Sequence, residues 1–236
     1  MLINQILTRF KKLNFSNKEI LELILTSFII SVISSFRLWG IDGVVDLSYG
    51  LENLFTHFIF NSFILLIFIT TMKLYGLYNG FHAKYKFNKI GLLISFLLAL
   101  GTNGYFKFYV VGFLSIKNTD LRLGKTNFKP NFNEYSKMLF YGILSLVFLF
   151  FISNNMASIY LNQIVIIGIC SLIPFPKNLG FFSIYSDVNH HIMLSLFFIL
   201  SVVSINFMPL ILSISFSIIV AFILSNFFSE KFKEII

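Results

Sequence analysis

Charge is scarce in this chain. Only 12% of its 236 residues are charged and just ten are acidic, whereas a soluble domain carries roughly 25% charged residues. Cysteine is nearly missing as well. Cys170 stands alone inside an apolar run, so no intrachain disulfide and no cysteine-based metal cluster can form. Proline occurs four times, and no Gly/Ser/Pro-rich linker divides the sequence. What is abundant is apolar: 57% of residues are hydrophobic and the mean hydropathy is +0.84. This composition argues against a soluble globular domain and points to a single integral membrane domain over residues 1–236.

Phenylalanine is used 32 times alongside much Ile, Asn and Lys, a bias that AT-rich codons produce without selection for aromatic chemistry. The net charge of +8 falls in short clusters between apolar runs rather than along one face. It reads as a set of topology signals at an anionic lipid surface and not as a nucleic-acid footprint. The expected partner is the lipid bilayer, with no nucleic acid.

A helical span needs about 20 mostly apolar residues. Six runs qualify, at 20–39, 56–77, 138–154, 157–175, 192–208 and 210–228. The expected fold is therefore an all-α membrane protein of about six transmembrane helices. The first run follows a polar stretch and lacks a cleavage site, so it reads as an uncleaved span. Pro209 separates the last two runs. Read as one helix they would be about 35 residues and overshoot a bilayer by some 20 Å, so a tight hairpin is preferred.

Segment 91–113 is apolar enough to span but is interrupted by Gly101, Asn103, Gly104 and Lys107. Lysine and arginine placement decides its course. Arg9, Lys11, Lys12 and Lys18 put the N-terminal segment 1–19 in the cytoplasm, and Asp42, Asp46 and Glu52 suit the outside. Lys84, Lys86 and Lys89 return to the inside, as does a basic loop over 114–137 with Lys117, Arg122, Lys125, Lys129 and Lys137. Both flanks of 91–113 then lie on one side. The segment is expected to be re-entrant, between the second and third spans, and such backbone is tolerated only where protein or a water cavity satisfies it. Lys231 and Lys233 leave the C-terminus inside as well. The single cysteine suits the plasma membrane of a prokaryote.

The histidines are His57, His82, His190 and His191. His57 opens the second span with no partner nearby in sequence. His82 closes the same span at the inner face, in the string Tyr78-Asn79-Gly80-Phe81-His82-Ala83. Further along stands Ser171-Leu172-Ile173-Pro174-Phe175-Pro176-Lys177-Asn178-Leu179-Gly180. The first string resembles the H-E-x-x-H-A helix of site-2-type intramembrane zinc metalloproteases, and the second is similar to that family's N-L-x-P-x-x-x-x-D-G motif. Thr102-Asn103-Gly104-Tyr105-Phe106 and Arg122-Leu123-Gly124-Lys125 resemble the re-entrant region and basic exit of its archaeal branch. Gly142 sits where that branch has a Gly-Pro pair, with Ile143 replacing the proline. The likeness covers residues 18–230.

The resemblance implies a re-entrant segment of β-like character and a groove that holds the transmembrane segment of a client protein. It also marks what is missing. Tyr78 stands for the first histidine ligand, Asn79 for the glutamate base and Leu179 for the aspartate ligand, while His82, Ala83, Pro174 and Gly180 match. A catalytic zinc needs three protein ligands, an open position and a base. The expectation is a catalytically inactive pseudoprotease that binds or regulates membrane clients and has no cofactor.

An alternative is an active zinc protease with a rebuilt site, His82 joined by Asp187 and one of His190 or His191, since Asp187 and His190 share a helical face at that spacing. The bland reading of those three is a solvated turn. A second alternative is a small transporter or channel, which predicts inverted repeats and charges at mid-membrane; no repeat is visible. Lys73, one turn inside the second span, is expected to snorkel to the inner surface. Lys107 is expected to have a structural place or to face a polar cavity.

Overall fold

A computed structural model describes residues 13–41, 44–118, 132–153 and 158–235. The expected basic residues of 1–12 and the Arg122-to-Lys125 stretch lie outside them.

Helix α1 (Asn17–Ser35) starts on a capping box: the Ser16 hydroxyl accepts from the Glu19 amide, and the Glu19 carboxylate accepts from the Ser16 amide. Two short strands, β1 (Gly40–Ile41) and β2 (Val44–Val45), pair antiparallel. Helix α2 (Leu47–Tyr78) follows, its first turn capped by the Asp46 carboxylate, which accepts from the Ser48 and Tyr49 amides. At 32 residues it is about 48 Å long. It stops where Asn79 leaves the helical region and Gly80 takes φ +83°, a left-handed backbone that glycine adopts without steric cost.

Strand β3 (Phe81–Lys86) then leads into helix α3 (Lys89–Gly101), and the chain returns without regular structure to β4 (Phe113–Asn118). The two strands pair antiparallel along their whole length, Phe81 opposite Asn118 and Lys86 opposite Phe113. The stretch 87–112 thus leaves the ribbon at Lys86 and rejoins it at Phe113. It is a helix outward and irregular chain back, with β-structure at its two ends.

The remaining helices are α4 (Phe132–Ser153), α5 (Ser158–Leu172), α6 (Leu179–Ser186), α7 (Val188–Ser204) and α8 (Leu210–Ile235). The 114–137 region is therefore not all loop, being strand to Asn118 and helix from Phe132. Helix α2 packs on α1 and α4, α4 on α5, α6 and α7, and α7 on α8. The last apolar run is two helices, closed by hydroxyl contacts of Ser204 with Ser213 at 2.7 Å and Ser217 at 3.3 Å. Small hydroxyl residues let two helices approach closely and bond across the gap.

The fold is mostly helical, but six spans are not established by it. Among the described residues two helices are long and apolar enough to cross a membrane, α2 and the Glu134–Ser153 part of α4. Helix α1 carries Lys18, Glu19 and Glu22 in its first turns, and α5 and α7 have only 15 and 17 residues. On α2, Phe55, Ile59, Phe63 and Leu66 form a stripe that is 49–65% exposed. An apolar stripe of that extent suits lipid better than water.

Candidate functional site

The end of α2 separates the residues that a helical H-E-x-x-H would present together. Tyr78 is the last helical residue, and Asn79 is the cap, its side-chain amide donating to the Tyr75 carbonyl at 3.0 Å. His82 lies on β3. Side chains alternate along a strand, so His82 shares a face with the exposed Lys84 and Lys86 and stands opposite the exposed Lys117 of β4. The His82 Nδ1 is buried without a hydrogen-bond partner.

The other face of β3 turns inward, with Ala83 and Tyr85 buried, and its outer edge meets α1. Glu19 Oε1 accepts from the Tyr85 amide at 2.9 Å and Glu22 Oε2 from the Phe87 amide at 3.1 Å. The same Glu19 oxygen receives the Lys73 ammonium of α2 at 2.9 Å, and that ammonium also donates to the Asn14 carbonyl and lies over the Phe15 ring. Lys73 does not snorkel. At 1% exposure, a carboxylate within reach outweighs the route to water.

Glu19 precedes the first expected span. Burial pushes its carboxyl up, but hydrogen bonds from Ser16, Lys73 and Tyr85, with the Lys73 charge, outweigh that and hold it below its ordinary value. Burial drives the Tyr85 phenol above its usual range against a hydrogen bond from Thr26, with Glu22 adding to the rise. Tyr85 therefore stays protonated and donates to the Val111 carbonyl.

The return segment is fixed in the same manner. Asn103 and Gly104 both have positive φ, 49° and 72°, at the turn that ends α3, and the Gly104 amide reaches back to the Ala99 carbonyl. Lys107 is half-buried and near enough to Arg37 and His57 to interact with their charges. From there the backbone is neither helix nor sheet, and side chains satisfy it. The Tyr109 amide donates to Cys170 Sγ at 3.3 Å and the Val110 amide to Ser95 Oγ at 3.3 Å. The Tyr109 hydroxyl meets Ser34 and Gln163 at 2.9 and 3.1 Å. Extended backbone inside an apolar medium requires this kind of satisfaction.

The second motif is a tight turn between α5 and α6. Asn178, fully buried, donates to the Cys170 carbonyl at 2.8 Å and the Ile173 carbonyl at 3.2 Å. From the other side Asn88 donates to the Pro176 carbonyl at 2.7 Å while accepting from the Gly91 amide. Asn88, between β3 and α3, thus ties the segment that follows the first string to the turn that carries the second. Pro174 is exposed on the turn, Leu179 is packed at 4% exposure, and Gly180 is pressed so close that a Cβ would lie 2.2 Å from the Leu172 carbonyl oxygen.

Asp187 and His190 do come together, in a polar pocket of about 180 Å³ shared with Ser136 and Lys137 of α4 and Ser186 of α6. Asp187 is the N-cap of α7, its Oδ1 accepting from the amides of Asn189 and His190. The imidazole of His190 has a buried Nε2 without a partner, and so does the Ser186 hydroxyl. His191 is about 100° further round the helix and is buried, its Nδ1 also unpartnered.

The donor set does not fit the zinc that the resemblance implies. Among the described residues no group of three His, Cys, Asp or Glu side chains converges. Leu179 has no donor atom, and His82 stands on a face of lysines, where a dication is repelled.

Beside Tyr78 lies a different feature. Thr71, Leu74, Tyr75 and Tyr78 of α2, Tyr141, Leu144, Ser145 and Phe148 of α4, and Ile214 of α8 line a groove of about 570 Å³. Tyr75 stacks on Tyr141 at 4.4 Å, and Thr71 donates to Ser145 at 3.2 Å.

These features define a mostly helical protein with, among the described residues, two helices long and apolar enough to cross a membrane, a two-stranded ribbon and an apolar groove. Comparison with family models, curated proteins and solved structures finds no match. Sequence reasoning missed Glu19, Glu22, Asn88 and Asn178. The first had a signal, because Ser16 and Glu19 form a capping-box pattern ahead of an apolar run, and Lys73 inside an apolar run calls for a counter-charge.

Proposed function

We propose that the chain is a multi-pass membrane protein, a non-hydrolytic relative of site-2 intramembrane metalloproteases, that holds the apolar segment of a membrane client. The observation that carries this reading is the groove between α2, α4 and α8, which begins at Tyr78, the position of the family's first ligand. In this reading α1, α2, α4, α5, α7 and α8 cross a prokaryotic plasma membrane with both termini cytoplasmic. Helix α3 and the return segment enter and leave from the cytoplasmic side.

The groove walls are apolar but carry the Thr71 and Ser145 hydroxyls and three phenols. A helical client with polar side chains can use those groups, and an acyl chain cannot. Neither edge of the ribbon is bare, since Glu19 and Glu22 occupy the β3 edge and the Tyr135 hydroxyl takes a backbone hydrogen bond from Ile116 on β4. A client is therefore held in the groove and is not added as a third strand. With leucine and asparagine in place of the aspartate and glutamate, holding does not lead to cutting.

The test places a photo-crosslinking residue at Leu74, in the groove, and a control at the lipid-facing Leu66, in native membranes. The expected result is a defined protein adduct from position 74 alone, lost when Ser145→Trp fills the groove. Adducts to lipid only, or protein adducts that survive Ser145→Trp, overturn the reading. Zinc near one equivalent per chain that disappears in His82→Ala would overturn the non-hydrolytic part separately.

A further inference from the structure

The pocket where α4, α6 and α7 meet shares no lining residue with the groove and carries charges of both signs. Its walls offer one ammonium, Lys137, which is loosely paired at 3.7 Å with the Glu134 carboxylate one turn before it, one carboxylate, Asp187, and three uncharged polar groups, Ser186, His190 and Ser136, the last 3.4 Å from the Ser183 hydroxyl. A purely anionic ligand would be repelled by Asp187 and a purely cationic one by Lys137. Burying polar atoms without partners is unfavourable, yet Ser186 Oγ and His190 Nε2 are buried in that state. Asp187 Oδ1 is committed to capping α7, which leaves its Oδ2 for a ligand.

We infer that this pocket binds the ethanolamine phosphate headgroup of a membrane phospholipid. The phosphate oxygens take hydrogen bonds from Lys137, His190 Nε2 and the two serine hydroxyls, and the primary ammonium donates to Asp187 Oδ2. The volume of about 180 Å³ suits a compact headgroup. The pocket also lies at the first turns of α4 and α7, with Tyr185 and Val188 exposed beside it. Polar groups next to exposed aromatic and apolar side chains at helix ends mark the headgroup level of a bilayer. A choline headgroup, lacking N–H donors, makes no hydrogen bond to Asp187, and a glycerol headgroup offers it no charge.

The inference rests on the membrane reading but not on the client. It is tested with the full chain in phosphatidylcholine nanodiscs doped with either phosphatidylethanolamine or phosphatidylglycerol, reading lipid retained per chain by native mass spectrometry. Failure of the chain to enter nanodiscs would defeat the membrane reading itself. The expected result is one phosphatidylethanolamine retained in preference to the other two lipids. Lys137→Met should weaken retention by about ten-fold or more, the loss of one charge-assisted hydrogen bond. Asp187→Asn preserves the helix cap, so helix content by circular dichroism should hold while the preference over phosphatidylglycerol disappears. Equal retention of all three lipids by the wild type, or unchanged preference in both variants, overturns the proposal. Thermal stabilisation by soluble glycerophosphoethanolamine without any retained lipid overturns the lipid source.

Discussion

Lys73 and Glu19 form an ion pair at 2.9 Å with side chains only 1% and 4% exposed. The pair ties α2 to the first turn of α1, and because the same carboxylate oxygen holds the Tyr85 amide, it also ties both helices to the ribbon. Three elements, α1, α2 and β3, meet on one oxygen atom.

Removing one partner leaves a buried charge alone, which costs about 3–5 kcal/mol. Lys73→Met and Glu19→Gln should each lower the thermal midpoint in detergent markedly. The double variant should recover part of the loss, since no unpaired charge remains. Additive losses in the double variant would show that the pair is not coupled.

The pair also has a pH signature. The Glu19 carboxyl is held below its ordinary value, so its contribution is present above the unfolded carboxyl's pKa and is lost as pH falls through the lowered folded value. The stability gap between wild type and Glu19→Gln should therefore be full at neutral pH and close only on the acid side of the ordinary carboxylate range. Thermal melts over a pH series read it directly.

The Asn88 and Asn178 side chains anchor the turn between α5 and α6. Asn178→Ala strands two carbonyls, and a buried group left without its partner costs about 1–3 kcal/mol. Asn88→Ala should cost less at this turn, because Asn88, though buried, bonds carbonyls of the exposed Pro176 and Lys177, which water can reach once the amide is gone. Proteolysis within residues 173–178 should rise in both variants, and more in Asn178→Ala.

Two glycines make a matched contrast. A Cβ at Gly180 would lie 2.2 Å from the Leu172 oxygen, while at Gly101 it would meet nothing within 4 Å. Gly180→Ala forces backbone apart and should cost about 1–3 kcal/mol or more. Gly101→Ala, at the end of α3, should be neutral or stabilising by up to about 1 kcal/mol. Equal effects in denaturant melts would refute the close approach of α6 to α5.

The sequence alone determined the features that depend on near neighbours. Apolar runs placed every long helix to within a few residues at most ends, Pro209 divided the last run into α7 and α8, and the glycine and asparagine interruption at 101–104 marked the turn that sends the chain back. Tertiary structure decided what depends on partners distant in the chain. Nothing local shows that His82 belongs to a strand, because β3 exists only by pairing with β4 some 30 residues later. Nor does anything local show that Lys73 is paired rather than snorkelled, since its carboxylate lies 54 residues away, or that Asp187 and His190 share a pocket with Lys137. Helical periodicity is written in neighbouring residues, whereas strand pairing, buried ion pairs and pockets are fixed by which segments the fold brings within hydrogen-bond distance.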